Sequence, residues 1–287
     1  MDTVDELDRG TTADAQSNAD VCVQPSGYLL ELSLDWIVLR ASENIHHLLR
    51  ESHVTLIDEP LGKYVHAQAL HDLRNLFSKL SGSTGIGRAY AVRLTDDHDL
   101  VDVAFHLNDG RVLLEAVPSA GCFGECFGSV GGLIAGLANS RGQTLLDGAA
   151  RRMRALTGYD RVTLTCGDRR AESSRGAIAL AALDLGEMPI LVADRDAAGV
   201  PVFPRQHDET LLDAALLRAP IEKERGALKE RGTRSMLRVA FASDGLSCEF
   251  CCESRTPREP SFELHAAAEL FAQMFAMQLA IGQATNR

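Results

Sequence analysis

Two turn signals, Asn108-Asp109-Gly110 and Asp244-Gly245, each sit between β-rich segments, and this repeated arrangement limits the folds open to the chain. The first joins DLVDVAFHLN to GRVLLEAVP, and the second lies inside SMLRVAFASDGLSCEFCCES. Between them SAGCFGECFGSVGGLIAG concentrates glycine just after Pro118, the composition of a domain junction. With 287 residues there is room for two cores. The expected fold class is therefore α+β, with two successive domains, each an antiparallel sheet flanked by helices.

Periodicity fills in the rest. Residues 1–20 lack apolar patterning and read as a mobile arm. Residues 21–118 read as the first domain: YLLELSLDWIVL as two strands turning near Ser33–Asp35, Ser42 as the cap of a short helix, then a helix with Leu70, Leu73, Leu76, Phe77 and Leu80 on one face. Residues 119–140 are assigned as linker and connecting helix, and 141–287 as the second domain. There TLLDGAARRMRALTG is a helix stopped by Gly158 and YDRVTLTCGD a strand. ALAALDLG reads as a short helix, PILVAD as an apolar strand, and 195–219 as loop-like. IEKERGALKERG is a charged helix and FELHAAAELFAQMFAMQLAIG a long one with a wide apolar face.

Composition excludes several function classes. A formal charge of −11 argues against a nucleic-acid partner, because such proteins gather Lys and Arg into a basic face. No uninterrupted apolar run approaches the roughly 18 residues of a bilayer span, so no membrane is expected. Seven cysteines, an odd number, behind an acidic N-terminus without a signal-peptide pattern point to the cytoplasm. Cys122/Cys126 and Cys248/Cys251 lack a histidine at zinc spacing, so no metal is expected and buried thiols are the better reading. His46, His47 and His53 read as surface groups, since adjacent histidines on a helix diverge. Arg169, Arg170 and Arg175 form either a small anion site or a solvated face. No nucleophile elbow, Walker loop, zincin motif or dinucleotide fingerprint is present, so no enzyme is expected.

Several segments fall in a telling order: VQPSGYLLEL, ASENIHHLL, LNDGRVLLEAVP, RALTGYDRV, LVADRDAAGVPVFP, ERGTRSMLRVAFASDG and the closing FELHAAAELFAQMFAMQLA. Together they resemble the PAS–GAF sensory core of bacterial phytochromes. The resemblance covers nearly the whole chain from residue 21, and TGYDRV and VAD…VPVFP are its most specific pieces. It implies a PAS domain supporting a GAF domain whose pocket holds biliverdin. It also implies an N-terminal arm, here Asp14 to Val23, threaded through a lasso loop as a figure-of-eight knot.

The residues that would hold the pigment depart from that pattern. Bacterial phytochromes attach biliverdin through a cysteine upstream of a Q-P-H-G-like motif; here no cysteine precedes Cys22, and Ser26 replaces the motif histidine. The PASDIP-type motif is absent between TGYDRV and LVAD. The two pocket histidines fall at Lys223 or Glu224, and within Cys251-Cys252-Glu253 in place of a C-H-H run. If a tetrapyrrole nevertheless binds, Cys252, Cys22, Arg234 and Arg238 are the candidate contacts.

The resulting expectation is a pigment-free signalling adaptor or regulator. A divergent biliverdin photoreceptor is the alternative, and a thiol or haem sensor the second. No output region is expected after residue 287, so any signal is expected to leave through a surface. By resemblance that surface is the last helix, with Phe271, Met274, Phe275 and Leu279 pairing two copies or meeting a related signalling protein.

Overall fold

The computed structural model describes residues 22–80, 85–96, 99–120, 124–175, 188–205 and 210–284. The expected arm over 1–20, most of the threaded segment and the helix expected over ALAALDLG lie outside the described residues.

The first unit contains β1 (Cys22–Val23), β2 (Tyr28–Leu32) and β3 (Val38–Ser42), then two single-turn helices, α1 (His46–Leu49) and α2 (His53–Leu56). After α3 (Ala67–Leu80) come β4 (Gly87–Val92), β5 (Val101–Asn108) and β6 (Arg111–Pro118). The β5–β6 hairpin closes where the sequence says it should, with Asp109 at φ 46° and Gly110 at φ 71°, so both turn residues are left-handed. Ser42 ends β3 and its Oγ accepts from the Leu29 N–H at 3.1 Å. It makes no helix-cap hydrogen bond, because the sheet partner takes the hydroxyl first. Trp36, Leu73 and Phe105 anchor the core between this sheet and α3.

The second unit begins with α4 (Glu125–Ala135), inside the segment expected as a linker, and α5 (Gly142–Thr157), which stops at left-handed Gly158. Then follow β7 (Arg161–Cys166), β8 (Arg169–Ser174), β9 (Leu191–Val192), β10 (Val200–Phe203), α6 (Glu222–Glu230), β11 (Ser235–Ser243), β12 (Leu246–Ser254) and α7 (Phe262–Ala284). Five of these strands form one antiparallel sheet in the order β8-β7-β12-β11-β9. Its core face packs against α5 and α7 through Val162, Leu164, Val239, Phe250, Phe271 and Phe275.

The segment 195–219 corrects the expectation of a loop. It contributes β10 to the other unit's sheet, whose order is β1-β10-β3-β2-β6-β5-β4. Linear boundaries therefore do not describe the sheets, since a strand late in the chain sits between β1 and β3. The segment is tied down by Glu115 of β6. This buried carboxylate accepts the N–H groups of Leu216 (2.9 Å) and Leu217 (2.7 Å) and meets His106 Nε2 at 2.9 Å. Gln24 fastens the same region to the second sheet: its Nε2 donates to the Leu191 carbonyl (2.8 Å) and its Oε1 accepts from Ala193 N–H (2.7 Å).

By length and composition α7 could cross a bilayer over Phe262–Ile281, although Glu263, His265 and Glu269 interrupt its apolar run. In the structure it is the core helix of the second unit, with Phe262, Phe271 and Phe275 fully buried against the sheet.

Candidate functional site

The five-stranded sheet has two unlike faces, and strand alternation decides which residues reach each. Cys252 points with Phe250 and Cys248 into the helical core, while Cys251 and Glu253 point the other way. On the outer face two groups of side chains pack against the sheet. Met188, Val192, Leu228, Met236 and Cys251 make a small apolar cluster under α6. Beside it Glu253 is gripped by Arg161 and Arg231 and accepts from Thr233 Oγ1 at 2.8 Å. Burial works to raise the Glu253 carboxyl, but the hydrogen bonds from Arg231 and Arg161 outweigh it and hold the pKa below the usual range.

Glu224, one of the two positions for a pocket histidine, is buried on α6 and receives Arg218 in a bidentate pair at 2.7 and 3.1 Å. Its neighbour Lys223 is exposed. Both buried glutamates, Glu224 and Glu253, are thus locked to arginines. Sequence reasoning missed these arginine partners, because Arg161, Arg218 and Arg231 approach the glutamates only through the sheet and the incoming segment. It also missed β8, a polar edge strand without the apolar alternation that marks its neighbours.

The other candidate residues are dispersed. Arg238 lies on the outer face, donating to Glu249 Oε1 (2.8 Å) and to the Met188 carbonyl (2.6 Å). Arg234 forks onto Asp194 at 2.8 and 3.0 Å, and that hydrogen bonding lowers the Asp194 pKa. Cys22 sits on β1 opposite Pro201, packed so closely on Gly199 that a Cβ there would lie 2.5 Å from its own. Burial pushes the Cys252 thiol up to about 12, against a smaller downward pull from Thr157. These four do not converge on one cavity: Cys252 and Arg238 lie on opposite faces of the sheet, and Cys22 in a different sheet.

Cys248 corrects the expectation of free thiols. It faces Cys166 directly across the β12–β7 ladder, and the two form a disulfide with a Cα–Cα distance of 4.2 Å. Among the described residues no three His, Cys, Asp or Glu side chains cluster as metal ligands. His53 stacks on Phe203 with ring centroids 4.8 Å apart, and His46 Nδ1 lies 3.0 Å from the Glu43 carbonyl.

The helical face carries a second candidate site, displaced from where it was expected. Phe271 and Phe275 meet Phe250 edge-to-face with ring centroids 5.9 and 5.8 Å away, and Leu279 is buried too, so these three belong to the domain core. The apolar stripe was wider than one sheet covers, but α4 and α5 cover its flanks. What stays open is a narrower seam on α7: Leu270 (38% exposed), half-buried Met274, Met277 (67%) and Ile281 (57%). Steps of four, three and four residues keep these on one line, the spacing of a helix-pairing seam.

Comparisons with known proteins bear on the architecture. Residues 16–118 match the family described as PAS fold. Over 91% of its length the chain is similar to the chromophore-binding domain of Stigmatella aurantiaca phytochrome P1, covering 98% of that chain with a TM-score of 0.75 and 23% identity. This is a phytochrome-type PAS–GAF fold. The chromophore-binding domain of RpBphP3, an unusual bacteriophytochrome from R. palustris, is similar over 93% of this chain and 97% of that one, with a TM-score of 0.74 and 24% identity. Curated proteins give no match. In these terms the seven-stranded sheet belongs to the PAS domain and the five-stranded sheet to the GAF domain.

Proposed function

We propose that this chain is a phytochrome-like PAS–GAF signalling module that holds no bilin, has no catalytic role, and works in the cytoplasm by protein–protein contact as an adaptor or regulator. One observation carries the reading. At Glu224, one of two positions for the first pocket histidine, and at Glu253, within the run that replaces C-H-H, buried glutamates are held by Arg218, Arg161 and Arg231. Opening that face to a tetrapyrrole strips partners from buried charges, at several kcal/mol for each broken pair. Output leaves through the α7 seam of Leu270, Met274, Met277 and Ile281, which pairs two copies of the chain.

The test has two arms. Purified protein is incubated with biliverdin and separately with haem, and its absorption spectrum is taken from the near-ultraviolet to the far-red before and after red illumination. Spectra equal to those of the free pigments are expected, whereas a red-absorbing band that shifts with light refutes the pigment-free reading. In the second arm, sedimentation equilibrium is expected to give twice the 31.0 kDa chain mass, falling to one chain in Met277→Glu/Ile281→Glu. A wild-type monomer refutes the homodimer.

The divergent photoreceptor keeps its support in the neighbours named as chromophore-binding domains, and the light-shifting band is its signature. The thiol-sensor reading is favoured by a different observation, the Cys166–Cys248 disulfide, and moves from Cys252 to that pair.

A further inference from the structure

We propose that the GAF domain binds a small oxyanion in a cavity of about 160 Å³ beside the Arg161–Glu253–Arg231 net. Asp160, Arg161, Arg231, Thr233, Glu253 and Arg255 line it, at the ends of β7 and β12 and in the turn before β11. Three observations point to an anion.

The first is charge. Arg161, Arg231 and Glu253 are each more than nine-tenths buried, and both guanidinium groups bind this one carboxylate, while the Glu172 carboxylate also acts on Arg231. Asp160 also lines the cavity, and its Oδ2 accepts the Arg255 N–H at 3.0 Å. Counting the five charged side chains of the wall leaves one positive charge over.

The second is an unmet donor. Arg161 is 2% exposed, and while its Nε and Nη2 bind Glu253, its Nη1 has no hydrogen-bond partner. A buried N–H group without an acceptor costs about 1–3 kcal/mol, more when it is charged. Glu253 cannot serve it as well, since its two oxygens already take both arginines and Thr233.

The third is Arg255. It is exposed at the mouth of the cavity, and its guanidinium makes no hydrogen bond or ion pair among the described residues. At roughly 30 Å³ for each water molecule, the space suits an ion of about five heavy atoms. A phosphate or a carboxylate, free or at the end of a larger molecule, meets both requirements: one negative charge or more, and oxygens for Arg161 Nη1 and the Arg255 fork. The proposal rests on the pigment-free reading, because a bilin on that face would open the same Arg161–Glu253–Arg231 net; the absorption spectra test that reading separately from the titration.

The experiment is calorimetric titration of the full chain, at low ionic strength in chloride, with inorganic phosphate, acetate and phenyl phosphate. Saturable binding of at least one is expected, weakened about tenfold in Arg255→Ala, equivalent to about 1.4 kcal/mol. Preference for inorganic phosphate points to the free ion, for phenyl phosphate to a phosphorylated molecule, and for acetate to a carboxylate end. Arg161→Lys keeps the charge but loses the fork and weakens binding similarly. Should circular dichroism show that variant unfolded, Arg255→Ala carries the test alone, since Arg255 holds no structural pair. No saturable binding of any of the three, or equal affinity in Arg255→Ala, overturns the proposal.

Discussion

Replacing Glu115 with glutamine probes how the late strand is held in the PAS sheet. Glu115 lies in the middle of β6, fully buried, and its two oxygens accept from the consecutive N–H groups of Leu216 and Leu217 while His106 meets Oε2. Glutamine has nearly the same shape but exchanges one acceptor for an NH2 group, so at least one buried N–H of the returning segment faces a donor. A buried donor left unsatisfied costs about 1–3 kcal/mol, and bonds to a charged acceptor are worth about 1.5–3. The expected destabilisation is about 2–4 kcal/mol. Trp36, the single tryptophan, is buried in the PAS core, so its fluorescence in urea reports that domain alone. With a slope of roughly 2 kcal/mol/M, the midpoint should fall by about 1–2 M. Hydrogen exchange supplies the local readout: the Leu216 and Leu217 amides should lose about thirtyfold protection or more for a loss of about 2 kcal/mol. An unchanged midpoint together with unchanged protection at these two amides refutes the argument that the carboxylate docks the segment.

Two further outcomes follow from buried titratable groups. His265 of α7 is buried, with Nδ1 3.1 Å from Arg88 Nη2 and Nε2 3.3 Å from Glu269, and burial lowers its pKa from 6.5 to about 4 against the opposing pull of Glu269. Below pH 6.5 the unfolded chain takes up a proton that the folded chain refuses, so stability present above that pH falls as pH drops towards about 4, by up to about 3 kcal/mol. A denaturation series over this window should show the slope, and His265→Gln should flatten it; an unaltered slope in the variant assigns it elsewhere. Cys251 and Cys252 are buried with raised thiol pKa values, so iodoacetamide at mild alkaline pH should leave both unlabelled in native protein and label both in urea, as peptide mass spectrometry reports. Native labelling of either contradicts their placement on the sheet.

Local chemistry alone settled much of this molecule. Asp109-Gly110 and Asp244-Gly245 turn where their φ preferences demand, Gly158 stops α5, and the apolar spacing of α3 and α7 makes them helices wherever they pack. The order of the motifs, too, is a property of the sequence, and it was enough to anticipate the phytochrome-type arrangement. What tertiary structure decided are relations between distant segments. Cys166 and Cys248 are 82 residues apart, and only the β7–β12 register brings them together. In the sequence, Glu224 and Glu253 stand in segments that lack the family's histidines, and only the fold set arginines against them. On α7 the sequence showed a broad apolar face but not its division: Phe271, Phe275 and Leu279 turn inward because α4 and α5 close over the flanks, leaving Met277 and Ile281 outside. Periodicity records which residues share a face, whereas burial depends on which other elements arrive to cover it. The strand Val200–Phe203 lies in the PAS sheet for the same reason, since pairing energy is gained only once β1 and β3 are already alongside.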